Sequence, residues 1–158
     1  MTLMKLLFAL ALGLLPLGQA CACGNELAGT WRSDKDMSMA FARENSRIQP
    51  KTEAFLDALF GHMTLTFSSS ELHIAMPDIE VPVSGQIRPF AGFDERKSYK
   101  VLLCNDSMVV WSARRPFDQD IDATTFNFVD RDTVWVYAGS TVPGMPDLHV
   151  REYFQRVR

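Results

Sequence analysis

From His62 onward the chain alternates with a period of two. Met63, Leu65 and Phe67 interleave with His62, Thr64 and Thr66, and beyond Ser68-Ser69-Ser70 the residues Leu72, Ile74 and Met76 interleave with His73 and Ala75. Successive side chains of a strand point to opposite faces, so this pattern reads as a hairpin with one buried face. Matching the apolar faces pairs Phe67 with Leu72, Leu65 with Ile74 and Met63 with Met76, because a slip of one residue would turn Glu71 and His73 into the core. Further strands are predicted at 80–88, 97–104, 108–114, 124–129, 133–138 and 148–157. Asn105-Asp106 and Asp130-Arg131-Asp132 supply tight turns, and 115–122 and 139–147 are longer loops.

Upstream, Leu27-Ala28-Gly29-Thr30-Trp31 reads as a short first strand. Its glycine removes a side chain where backbones crowd, and its tryptophan carries the largest apolar area nearby. Two helices are predicted next. Ser33 or Asp34 caps the first, with Met37, Ala40 and Phe41 on its apolar face; Pro50 opens the second, Phe55, Leu56, Leu59 and Phe60 form its face, and Gly61 ends it. These helices read as a lid or plug over a sheet. The whole is a mainly β chain of about nine strands joined by short turns. That favours an antiparallel up-and-down barrel of about eight or nine strands, with a helical insertion after the first.

Gly29-Thr30-Trp31 matches the Gly-x-Trp signature that opens lipocalins, and the chain ends in Arg151-Glu152-Tyr153-Phe154-Gln155-Arg156 after a meander of strands. The chain therefore resembles the lipocalin-like (calycin-type) barrels of small bacterial exported proteins and lipoproteins. It departs from them in placing two helices between the first and second strands. The resemblance implies that a basic side chain from the far end, Arg156 or Arg151, packs on Trp31, making Gly29, Trp31 and Arg156 a structural anchor.

The first residues decide the compartment. Lys5, an apolar run over 6–15 and the small residues up to Ala20 make a secretory signal peptide, too short to span a bilayer of roughly 30 Å. Cleavage after Ala20 leaves Cys21 first and resembles a bacterial lipoprotein site, although Gly18 and Gln19 stand where such sites usually have leucine and a small residue. Cleavage after Ala22 satisfies Ala-x-Ala and releases a soluble chain. The organisation expected is thus a signal peptide over 1–20 or 1–22, a leader over 21–26 and one barrel domain over 27–158, exported to the periplasm or anchored facing it. A lipidated or removed Cys21 accounts for the odd cysteine, leaving Cys23 and Cys104 as a candidate disulfide.

Of 16 basic and 19 acidic residues only Lys5 falls in the first twenty, so the remainder carries a net charge of about −4. Its basic residues form no stripe, which argues against a nucleic-acid partner. Membrane contact is expected only through Cys21. His62, His73 and His149 read as surface or rim histidines, since the hairpin register places His73 opposite Thr66 and about four pairs from His62. Asp118, Asp120 and Asp122 alternate like the start of a calcium loop, but Ala123 and Val129 occupy the positions that need glycine and glutamate. The serine run lacks a nucleophile motif, and Cys21 and Cys23 are one residue apart. No metal, cofactor or catalytic set is expected. Tyr99, Trp111, Phe126, Phe128 and Tyr153 are the inward candidates, able either to line a ligand cavity or to fill the barrel.

Two functions fit these readings. One is non-enzymatic binding of a small apolar or amphipathic ligand inside the barrel. The other is an envelope protein-interaction factor, of inhibitor or immunity type, with a packed barrel and partner-facing loops such as 115–122.

Overall fold

The computed structural model describes residues 26–114, 120–139 and 149–158. The first strand, β1 (Gly29–Asp34), leads into α1 (Lys35–Asn45) and α2 (Pro50–Leu59). There follow β2 (Thr64–Phe67), β3 (Glu71–Met76), β4 (Ile79–Val83), β5 (Gln86–Phe90), β6 (Phe93–Asn105), β7 (Met108–Arg114), β8 (Ile121–Asp130), β9 (Thr133–Tyr137) and β10 (Arg151–Arg156). Eight strands close an antiparallel barrel in the order β1-β10-β9-β8-β7-β6-β3-β2. β1 completes the ring, pairing Trp31 with Arg156 of β10 on one side and with Leu65 of β2 on the other.

The β2–β3 ladder joins Phe67 to Leu72, Leu65 to Ile74 and Thr66 to His73. That is the register set by keeping Glu71 and His73 out of the core. Strand β7 spans the predicted 108–114, whereas two other predicted strands differ from expectation. Residues 80–88 are not one strand but the two arms of a ribbon, β4–β5, that stands apart from the barrel. Ser84 and Gly85 both have positive φ, 52° and 80°, the conformation of a two-residue hairpin turn that matches strand twist. Strand β6 begins at Phe93 rather than 97, because its charged first half, Asp94 to Lys97, pairs with β3. A bulge at Leu102 shifts the β6–β7 register.

Asp34 caps α1, its Oδ1 accepting from the Met37 amide at 2.9 Å. The buried face of α1 is Ser38, Met39 and Ala42, whereas Ala40 is exposed. The helix lies along the outer face of β10, where Ser38 Oγ accepts from the Tyr153 amide and donates to Asp34 O. It is not a plug: Met39, Ala42, Leu56, Phe60 and Val150 form a second small core outside the barrel. Inside, strand alternation places Trp31, Leu65, Phe67, Leu72, Tyr99, Trp111, Phe126, Val134 and Phe154 in one continuous cluster.

Candidate functional site

The barrel interior is occupied by aromatic rings. Phe67 touches Tyr99, Trp111 and Phe126 with ring centroids 5.5, 6.3 and 5.5 Å away, and Phe126 continues the chain of rings to Phe154 at 6.5 Å. Tyr99, Trp111 and Phe126 are each buried, and mutual edge contacts of this kind add to the burial of their area. The Tyr99 hydroxyl donates to Ser68 O at 2.6 Å, and burial raises its pKa above the ordinary tyrosine value. The indole Nε1 of Trp111 is buried without a hydrogen-bond partner among the described residues. Phe128 belongs to the same interior, packed edge-on against Trp31 at 6.4 Å.

Tyr153 is placed differently from those four. It lies opposite Trp135 and Asp34 in the ladders and turns outward, its ring 6.1 Å from Phe41 of α1. Strand β10 alternates strictly, so the inward positions are Glu152, Phe154 and Arg156.

Arg156 closes one end of the barrel. Its guanidinium lies 4.1 Å from the Trp31 ring centroid and donates to Ala28 O and Glu26 O, both at 2.6 Å. Trp31 Nε1 in turn donates to Leu27 O at 2.8 Å. Gly29 has φ 115°, and a Cβ there would meet Arg156 Nη1 at 3.3 Å. The glycine therefore serves the left-handed backbone and the arginine's approach, not a crowding of backbones. Arg151, the other basic residue of the strand, is remote from Trp31 and lies instead over the rings of Phe41 and Trp135, at 4.3 and 3.8 Å.

Glu152 is the unanticipated group. It is buried, and Ser33 Oγ donates to its Oε1 at 2.6 Å while accepting from the Gly61 amide at 2.9 Å. Burial pushes the carboxyl up to about 7, partly opposed by the serine hydrogen bond. Its signal was in the alternation, since a residue two before inward Phe154 must also face inward.

On the outer face His73 Nε2 pairs with Asp94 Oδ1 at 2.8 Å, His62 is exposed, and His149 packs against the Phe41 ring. The described residues contain no group of three or more His, Cys, Asp or Glu able to hold a metal. Asp120 and Asp122 are exposed, whereas Asp118 lies outside the described residues. So do Cys21, Cys23, the segment 1–25 and most of the loop 115–122. Near the closed end, Glu26 shares a shallow cleft with Asn105, Asp106, Phe128, Asp130 and Arg156. The comparisons add no relative: no family model, curated protein or solved structure matches the chain.

Proposed function

We propose that this is a non-enzymatic exported protein whose packed barrel is a scaffold for contacting another envelope protein. The observation that carries the reading is the run of touching rings from Tyr99 through Phe67, Trp111 and Phe126 to Phe154, which occupies the space a ligand would need. The β4–β5 ribbon supports it as well, because Ile87 and Val83 are exposed on an arm outside the barrel. Kinship with lipocalins belongs to the same proposal, on the Gly29-Thr30-Trp31 signature and the closed eight-stranded barrel. So do export and either soluble release into the periplasm or lipidation at Cys21. A photo-crosslinking residue at Ile87, introduced in the producing cells, is expected to capture one discrete envelope protein. A small molecule that co-purifies in stoichiometric amount, seen by native mass spectrometry, would overturn the scaffold reading.

That second outcome has one observation in its favour. Among the described residues Trp111 Nε1 is a buried donor without an acceptor, which an acceptor-bearing amphipathic ligand would satisfy once the rings moved apart.

A further inference from the structure

We infer that Arg151 is the docking point for an acidic side chain of a protein partner, a conclusion that rests on the scaffold reading and names the partner's chemistry. Arg151 stands on the outer face of β10, opposite Tyr137 of β9. Phe41 from α1 and Trp135 from β9 both lie against its guanidinium, which fixes the plane of the group. Among the described residues Arg151 makes no ion pair, and its Nε is buried without a hydrogen-bond partner. The other arginines described as paired, Arg43, Arg96, Arg156 and Arg158, each meet a carboxylate. Held flat and left without an anion, a guanidinium presents parallel N–H donors matched to a carboxylate.

The surroundings select the source of that carboxylate. Tyr137 is 45% exposed, and the exposed His149 packs against both Tyr137 and Phe41, so the arginine is rimmed by aromatic edges. Arginine, tryptophan and tyrosine are the residues enriched at the energetic centres of protein interfaces. An isolated exposed ion pair is worth little, so the aromatic rim must be covered by the partner for the contact to hold.

The test is an NMR titration of the ¹⁵N-labelled protein with pentaglutamate, against pentalysine, inorganic phosphate and sodium chloride at matched ionic strength. The Arg151 Hε and Trp135 Hε1 signals are expected to shift saturably with pentaglutamate alone. Arg151→Lys, which keeps the charge and loses the paired donors, should bind about tenfold more weakly. Tyr137→Ala should weaken binding several-fold and provides the reading if Arg151→Lys does not fold. Absence of shifts, an equal response to phosphate, or undiminished binding by the folded variants would overturn the assignment. A ligand found inside the barrel would overturn the scaffold reading without altering this titration.

Discussion

Two residues of β10 that face the same interior meet opposite demands. Arg156 is charged, yet its stem and plane lie on Trp31 and its donors are spent on Glu26 O and Ala28 O, with Asp132 3.5 Å from Nε. Replacing it with methionine keeps the stem and loses the two charge-assisted bonds and the stack. We expect a loss of ~2 kcal/mol in chemical denaturation. Trp31→Ala should cost ~3–5 kcal/mol by leaving a cavity in a fully buried site. Glu152, by contrast, has only Ser33 among the described residues to support a charge. Its folded value near 7 exceeds its ordinary value of 4.5, so the fold binds the proton more tightly than the unfolded chain does. The stabilisation is complete below about pH 4.5 and is lost as pH rises through 7. The difference amounts to ~3 kcal/mol. Denaturation of the native protein and of Glu152→Gln from pH 4 to 8 checks this, the variant being expected to lack that part of the slope. A parallel pH dependence in both would show that the slope arises elsewhere.

At the scale of elements, caps and close approaches decide the joins between segments. Asp34→Ala removes the acceptor for the Met37 amide and should destabilise by ~1 kcal/mol, read as a lower thermal midpoint. Gly92 is tighter: an added Cβ would stand 2.3 Å from Met76 O and 2.5 Å from the Pro77 carbonyl carbon. Gly92→Ala therefore requires the β5–β6 connection to move off β3, and we expect a loss of more than ~2 kcal/mol. Strands with a polar face, β2 and β3, were legible because Leu65 and Leu72 alternate with polar neighbours. The β4–β5 ribbon was not, since Val81-Pro82-Val83 reads as a continuous strand and the turn at Ser84-Gly85 depends on two positive φ angles. Helix α1 misled for a related reason. Met37, Ala40 and Phe41 make an apolar stripe, but contact with Tyr153 rotates Ser38, Met39 and Ala42 to the buried side.

For the whole molecule, closure is the central event, and it joins residues far apart in the chain. Trp31 pairs with Arg156, and Glu26 stands in the cleft beside Asn105. Cys23 lies outside the described residues, three positions before Glu26 in the sequence, and Cys104 is half-buried one residue before Asn105; the candidate disulfide between them is a proposal. Such a bond closes a loop of about 80 residues and would contribute ~2–4 kcal/mol. Thiols counted in denaturant should rise by two on reduction, and an unchanged count would remove the bond from the proposal. By itself the sequence determined the period of the strands and the hairpin register, and narrowed the helix cap to Ser33 or Asp34. Those are properties of neighbouring residues and of the two faces of a strand. Only the tertiary structure decided that the rings of Tyr99, Trp111 and Phe126 meet, that Tyr153 faces α1, and that Arg151 lies over Phe41 and Trp135. Inward and outward have no meaning along a single chain until the eighth strand pairs with the first and gives the sheet an inside.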